Sequence, residues 1–262
     1  MTSLADRTIA ALRAEHEATV TLVRDLTDEQ LVEASGAAEW TVAAVLSHLG
    51  SAAVITLAGV QSALGAGPPP EAGFNESVWD LWNAMTPAAQ RAGYLEHDAK
   101  LVAAFQALDD QQRESLELQV GFLPAPLSVA AFAGMRLHES AQHSWDVRVP
   151  GEPAAVLLPG SASVLAELFS GELAFLLGFF GKADLIAGPV RLEIVGSGYG
   201  LSIADSVALG SNLDHPTASF RGPLEAALRL IAGRLGPTHT PGDLTVTGNV
   251  TLEDLRTAFP GL

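Results

Sequence analysis

The segment LHESAQHSWD, residues 137–146, places two histidines, a glutamate and an aspartate within ten residues. Each residue of an α-helix turns the chain by about 100°, so Glu139 and His143 lie within about 40° of each other on the helix surface. His138 and His143 diverge by about 140° on the same geometry. The segment therefore lacks the H-E-x-x-H spacing of zinc proteases, and the pair predicted to share a ligand is Glu139 with His143.

The helix face that carries this pair begins apolar and becomes ionisable. It runs from Phe132 past Met135 or Arg136 to Glu139, His143 and Asp146. If this face points into a protein core, its carboxylate and imidazole need a partner, because burying a lone charge is energetically costly. A divalent cation would be such a partner, and Asp146 could orient an imidazole beside it. On a solvated face the same residues would form only a surface charge cluster, and spacing alone leaves both interpretations open.

A third metal ligand would have to come from another helix, and His48 is the best choice in the sequence. It shares a side of its predicted helix with Val45, Leu49 and Ala52, which are expected to face the core. Two imidazoles and one carboxylate suit zinc, with a fourth position left for water or substrate. The same ligands would accept non-haem iron or nickel.

Four long helices are predicted to position these side chains. Apolar residues recur at helical spacing in all four, and Thr41 and Ser128 are suitable N-caps for two of them. The helices span 4–23, about 25 residues after Thr41, 86–108, and 129–147. Long helices joined by moderate loops favour an antiparallel four-helix bundle, whose interior commonly holds metal and ligand sites.

The pattern changes after a segment with three prolines, 149–160, which is the predicted linker between domains of 1–150 and 151–262. The second domain is predicted to be α+β, so the fold class of the chain is mixed. Its predicted elements are an apolar helix over 161–182, strands over 190–195, 200–203, 218–220 and 244–248, and helices over 222–234 and 251–259. The glycine-rich segment 196–200 lacks dinucleotide-loop spacing and predicts a hairpin turn.

Composition disfavours several classes of partner and location. A net charge of −16 over 262 residues argues against nucleic acids and anionic membranes. The N-terminal segment lacks a signal-peptide pattern, and the most apolar run, 173–181, is about half as long as a bilayer-spanning helix, so a cytoplasmic protein is predicted. The chain has no cysteine, which excludes a cysteine nucleophile and thiolate ligands. Any thiol chemistry must use an external thiol.

Three segments resemble the mycothiol-dependent maleylpyruvate isomerase family, which belongs to the DinB-like metalloenzymes. The segments are EWTVAAVLSHL, MRLHESAQHSWDV and LRLIAGR, in that order along the chain, and the resemblance covers essentially the whole sequence. It implies a DinB-like four-helix bundle followed by a smaller, sterol-carrier-like α+β domain. It also implies that His48, Glu139 and His143 bind zinc and that Arg234 meets the substrate across the domain interface.

The resemblance implies an enzyme that uses mycothiol beside zinc. Zinc would favour the thiolate, which would add to a conjugated C=C bond of a maleylpyruvate-like acid, allow rotation, and leave again. Arg234 would hold a substrate carboxylate. The same residues would serve a mycothiol S-transferase if the adduct were released. The expected partners are a small-molecule substrate and a low-molecular-weight thiol, in a monomer or a homodimer.

Two other functions are compatible with the same residues. A DinB-like hydrolase would use the metal to activate water directly, with Asp146 as the one available general base. A non-enzymatic protein would hold an apolar ligand in its second domain, and the helical domain would be structural.

Some residues also have structural interpretations. Arg234 follows a glycine and fits a helix C-terminal cap, and Arg136 could pair with a carboxylate of the bundle. His138 is predicted to face solvent or another helix. No role is predicted for the remaining histidines, which are His16, His97, His215 and His239.

Overall fold

The structure, a computed structural model, describes residues 2–261 and divides into two compact units. The units are Met1–Ala155 and Val156–Leu262. The domains predicted from the sequence are 1–150 and 151–262. The first unit is helical apart from two very short strands, and the second combines a sheet with short helices. The predicted mixed helix-and-sheet class is confirmed.

Among the residues that the structure describes, the first unit has seven helices and two short strands. The helices are α1 (Leu4–Val23), α2 (Asp28–Leu31), α3 (Val42–Ala63), α4 (Phe74–Asn83), α5 (Pro87–Gln106), α6 (Asp110–Ser115) and α7 (Val129–Arg148). The strands β1 (Glu117–Leu118) and β2 (Leu127–Ser128) pair antiparallel. The four predicted long helices correspond to α1, α3, α5 and α7.

Side-chain caps explain where the four long helices begin. The hydroxyls of Ser3, Thr41, Thr86 and Ser128 each accept a hydrogen bond from the backbone N–H three residues further on. Such a bond satisfies one of the N–H groups that a helix start leaves without a partner. Pro87 supports the start of α5, because its fixed φ suits the first helical position.

The long helices pack in pairs around one apolar core. α3 packs against α5 and α7, and α1 packs against α7 and α5. Buried residues of this core include Val45, Leu46 and Leu49 of α3. α3 is long and apolar enough to cross a membrane, but half of its most apolar window is buried within the structure, as in the core helix of a folded domain.

The sequence prediction missed α4, which packs on α3. Its Trp82 is 2% exposed and lies directly over two glycines of neighbouring helices. A Cβ atom would lie 2.1 Å from the Trp82 ring at Gly50 and 2.8 Å at Gly93. Both positions therefore need glycine so that the indole can approach α3 and α5 closely.

The second unit is built on a five-stranded sheet. Its strands are β3 (Val190–Ile194), β4 (Tyr199–Ile203), β5 (Val207–Ser211), β6 (Ala218–Arg221) and β7 (Thr245–Gly248), in the order β5-β4-β3-β6-β7. The β3–β6 pair is parallel and the other pairs are antiparallel. The segment 195–198 turns between β3 and β4, with positive φ at Gly196 and Gly198, as the predicted hairpin requires.

The helices of the second unit differ from the prediction in one place. They are α8 (Pro159–Phe169), α9 (Leu177–Phe180), α10 (Leu224–Ile231) and α11 (Leu252–Ala258). The single apolar helix predicted over 161–182 is wrong, because the chain turns at Ser170 and Gly171 and bends by 90° before α9. Leu173, Leu176 and Leu177, which follow this turn, are buried.

Candidate metal centre

Three side chains from two helices of the first unit converge on one point. His48 lies on α3, and Glu139 and His143 lie on α7. Their ligand atoms all lie within 4.8 Å of one another. Oε2 of Glu139 is 2.8 Å from Nε2 of His48 and 3.6 Å from Nε2 of His143. The structure thus brings together the three residues predicted as metal ligands.

Local sequence places each of the three. Ser128 fixes the start of α7, and from that start Glu139 and His143, four residues apart, share one face. Thr41 fixes the start of α3, and the packing of α3 on α7 turns His48 toward that face. The same geometry separates His138, which is 6% exposed and lies outside the cluster.

Asp146 holds the ring of His143 in one orientation. Its Oδ2 accepts a hydrogen bond from Nδ1 of His143 at 2.8 Å, and its side chain is fully buried. A carboxylate only accepts hydrogen bonds, so the His143 proton is on Nδ1 and Nε2 keeps its lone pair for the cluster. Carboxylates in this position orient ligand histidines and raise their basicity in metal sites. Of the two roles considered for Asp146, the structure supports orientation of an imidazole.

The Glu139 carboxyl is held in its ionised form. Partial burial acts to raise its pKa, but hydrogen bonds from His143 and His48 and the charge of nearby imidazoles outweigh it and hold the pKa well below its usual range. An ionised carboxylate between two imidazole nitrogens is the form that a divalent cation requires of its ligands.

The donor set and its spacing fit zinc. Zinc bonds of about 2.1 Å in a tetrahedron place neighbouring ligand atoms about 3.4 Å apart. The two distances at Glu139, 2.8 and 3.6 Å, bracket this value. The side chains of His48 and Glu139 are 35% and 40% exposed, so one side of the cluster remains accessible. Three protein ligands with an open fourth position are typical of catalytic rather than structural zinc sites.

Trp40 covers the histidine pair, a feature that spacing did not predict. Its ring stacks on His143 at 5.8 Å between centroids and lies 5.2 Å from His48. The loop before α3 positions it, because Gly36 N–H donates to the Asp146 carbonyl oxygen at 2.8 Å. A Cβ at Gly36 would lie 2.9 Å from the Trp145 ring, so glycine permits this approach of the loop to α7. The sequence signal for Trp40 was its place at the start of the EWT segment.

Arg136 has the structural role that the sequence allowed. Its Nη2 donates to Oδ1 of Asp98 at 2.6 Å, and both side chains are 2% exposed. Nδ1 of His16 lies 2.6 Å from the other oxygen of Asp98. No role was predicted for His16, and its contact with Asp98 was therefore not foreseen. The two residues lie 82 positions apart in the sequence, and only the packing of α1 on α5 joins them.

Arg234 lies in the second unit, whereas the three clustered residues lie in the first. The backbone around it forms the predicted cap of α10. Gly233 has a φ of 73°, and the N–H of Arg234 donates to the carbonyl of Arg229 at 2.7 Å, as in a Schellman motif. Its Nη1 donates to the Ala232 carbonyl oxygen at 2.9 Å. These hydrogen bonds show that Arg234 belongs to the C-terminal cap of α10. Its contact with a substrate stays a prediction.

A family model described as the mycothiol maleylpyruvate isomerase N-terminal domain matches residues 12–148, which is 137 of the 262 residues. No curated protein sequence gives a significant match.

Two solved structures are similar over nearly the full length. One is a crystal structure of the mycothiol-dependent maleylpyruvate isomerase, with a TM-score of 0.63, 16% sequence identity, and 95% of this chain and 98% of that chain covered. The other is a histidine-to-alanine mutant of the mycothiol-dependent maleylpyruvate isomerase, with a TM-score of 0.64 and the same identity and coverage. At this identity the likeness concerns the fold.

Proposed function

The chain belongs to the mycothiol maleylpyruvate isomerase family, and on that premise we propose that it is a zinc enzyme which uses mycothiol to isomerise a maleylpyruvate-like unsaturated acid. The observation that carries the proposal is the convergence of His48, Glu139 and His143, with one side of the cluster accessible. A family match alone would leave open whether this chain keeps a usable site.

The residues of the cluster have distinct tasks in this proposal. Glu139 supplies the negative charge, and His48 and His143 supply neutral nitrogens. Zinc bound there would lower the pKa of a thiol beside it and so favour the thiolate. Asp146 keeps His143 from rotating, and Trp40 packs against both imidazole rings.

The lack of cysteine makes the external thiol necessary. Cis-trans isomerisation of a conjugated acid needs a nucleophile that adds to the C=C bond, so that the resulting single bond can rotate before the nucleophile leaves. The chain has no cysteine, and mycothiol supplies that nucleophile. Arg234 is proposed to bind a substrate carboxylate, since a guanidinium matches a carboxylate with two parallel hydrogen bonds.

Three finer assignments belong to the same proposal. The four long helices are assigned to the DinB-like bundles, and the second unit to the sterol-carrier-like domains. The metal-bearing domain is 1–150 and the second domain 151–262. The protein acts in the cytoplasm as a monomer or homodimer, without nucleic-acid or membrane partners.

S-transfer to an electrophile uses the same residues and differs only in whether the adduct is released. No separate observation favours it. The hydrolase alternative loses its general base, because Asp146 is buried and bonded to His143. The non-enzymatic alternative leaves the convergence of three ligand side chains without a purpose.

The test is turnover of maleylpyruvate by zinc-loaded protein with and without mycothiol. We expect isomerisation only with the thiol, and its loss in Glu139→Ala. Glu114→Ala, an exposed glutamate of α6, is the matched control and should behave as wild type. Product analysis separates free isomer from a stable thiol adduct. Equal turnover without thiol, or none with any thiol, would contradict the proposal.

A further inference from the structure

The loop that carries Trp40 to the metal centre has an unusual backbone. Glu39, the residue directly before Trp40, has a φ of 65°, in the left-handed region that residues with a Cβ atom adopt uncommonly. A strained conformation of this kind persists only where the surrounding contacts impose it, and such conformations cluster at functional sites. The position of Trp40 therefore has a function beyond the connection of α2 to α3.

Backbone hydrogen bonds fix Trp40 relative to α7. Its carbonyl oxygen accepts a hydrogen bond from the Ser35 N–H at 2.9 Å, and the Gly36 N–H donates to the carbonyl oxygen of Asp146 at 2.8 Å. The side chain of the same Asp146 accepts a hydrogen bond from Nδ1 of His143 at 2.8 Å. One residue of α7 thus anchors both the loop and the imidazole, so the indole and the ring of His143 hold a defined relative position.

The indole lies close enough to attract a positive charge on either imidazole. The centroid of its ring is 5.8 Å from that of His143, with the two planes 11° apart, and 5.2 Å from that of His48. A cation within about 6 Å of an indole centroid is attracted by the negative face of the ring. Trp40 therefore contacts both histidines of the proposed ligand set at the distance of such an interaction.

We propose that Trp40 is a positioning residue of the metal centre, which favours the metal-loaded imidazoles through the electrons of its indole ring. A bound divalent cation is the largest local charge in such a site, and it draws electron density from its imidazole ligands. The rings then carry partial positive charge, and the indole attracts them more strongly than it attracts neutral imidazoles. The inference rests on the zinc site of the proposed function and deepens it.

The exposure of Trp40 distinguishes it from the tryptophans of the core. Trp82 and Trp145 are 2% and 1% exposed, whereas Trp40 is 38% exposed and lines a cavity of about 580 Å³ beside His48. Trp79 lines the same cavity and is 45% exposed, but within residues 2–261 it has no ring contact with the clustered histidines. Variants of Trp40 and Trp79 therefore differ chiefly in the contact with the ligands.

The test is the zinc affinity of full-length protein made with tryptophan, fluorotryptophan or difluorotryptophan, measured by competition with a chromophoric chelator. Fluorine withdraws electrons from the indole face and changes its shape little, so each added fluorine should weaken zinc binding. In Trp40→Phe this dependence on fluorine should disappear. Trp40→Leu should bind zinc about 2- to 5-fold more weakly than wild type, on the scale of one partly exposed cation–π contact. Trp79→Leu is the matched control and should bind zinc as wild type does.

Each outcome separates this inference from the proposed function. A zinc affinity that fluorination leaves unchanged, or that falls equally in Trp40→Phe, would overturn the role of Trp40 and leave the metal centre standing. The fluorine series needs no substitution in wild type, so it decides the question even if Trp40→Leu does not fold. Zinc binding that depends on Trp40, in a protein without thiol-dependent turnover, would support the inference and defeat the isomerase proposal. Absence of zinc from every form would defeat both.

Discussion

At the scale of single residues, the metal centre depends on an aspartate that is not itself a ligand. Asp146 is fully buried, and its Oδ2 accepts a hydrogen bond from Nδ1 of His143 at 2.8 Å. Of the four ionisable side chains in residues 137–146, spacing singled out Glu139 and His143 and left the role of Asp146 open. An i, i+3 pair near a helix end is equally compatible with a surface contact, and only the burial of Asp146 distinguishes the two.

We expect Asp146→Asn to weaken zinc binding about 10- to 100-fold, as loss of a carboxylate behind a ligand histidine does in other zinc sites. The asparagine amide can present its NH₂ group to Nδ1 and shift the proton to Nε2, where it would block the metal. Competition with a chromophoric chelator measures the affinity. Asp25→Asn, an exposed aspartate after α1, is the control. Unchanged affinity in Asp146→Asn would exclude the orienting role.

At the scale of elements, the sequence predicted the four long helices but not the shorter helices α4 and α6. Thr41 and Ser128 mark the starts of α3 and α7, and the observed starts confirm them. α4 begins after Gly73 in a left-handed conformation and has no side-chain cap. Its absence from the prediction removed Trp79 and Trp82 from consideration. The part of the cavity beside His48 that Trp79 lines could therefore not be predicted from the sequence.

The contact between α3 and α4 predicts a specific effect of added volume. Gly50→Ala would place a Cβ 2.1 Å from the Trp82 ring, and we expect it to destabilise the protein by about 1–3 kcal/mol, as overpacking does. Gly59→Ala on the same helix would meet only the Phe132 ring at 3.4 Å. It should be neutral or slightly stabilising, because alanine forms helices better than glycine. Urea titrations of both variants measure the difference, and equal stability would contradict the packing described here.

The ion pair that joins α5 to α7 gives the first unit a defined acid sensitivity. Burial acts to raise the pKa of Asp98, but the Arg136 charge and the hydrogen bonds from His16 and Arg136 outweigh it and lower the pKa. A carboxyl with a lowered folded pKa contributes stability above its unfolded pKa of about 3.9, and loses it as pH falls through the folded value.

Asp98→Asn should therefore destabilise the protein at pH 7, by about 3–5 kcal/mol, since it leaves Arg136 buried without its partner charge. Its unfolding midpoint should also depend less on pH below about 4 than that of wild type. Urea titrations of zinc-free protein at pH 7 and below 4 test both expectations, with Asp25→Asn as control. A variant with the acid dependence of wild type would show that Asp98 is not the responsible group.

At the scale of the whole molecule, the fold class and the predicted ligand set followed from periodicity, spacing and family resemblance together. Contacts between distant segments could not be predicted in this way, because no local pattern marks His16 and Asp98 as neighbours. The break between α8 and α9 was also missed, since a continuous apolar run does not reveal which side each residue turns to the core. The residues proposed to act in the reaction lie in both units: the metal ligands belong to the first and Arg234 to the second.

The proposed role of Arg234 predicts a kinetic effect without a change in metal content. Arg234→Ala should lower kcat/KM for the acid about 10- to 150-fold, the scale of one charged hydrogen-bonded contact. Zinc content should match wild type, because the three ligands are untouched. Arg221→Ala, an exposed arginine on β6 of the same unit, is the control. Full activity in Arg234→Ala would remove the arginine from the mechanism.

The most direct measurement is the metal content of the purified, zinc-exposed chain by mass spectrometry, beside Glu139→Ala, His48→Ala and the Glu114→Ala control. The proposed site predicts about one zinc per chain in wild type and control, and little in the two ligand variants, because a three-ligand site loses most of its affinity with one ligand removed. No zinc in the wild type, or equal zinc in Glu139→Ala, would contradict the metal centre and the chemistry proposed from it.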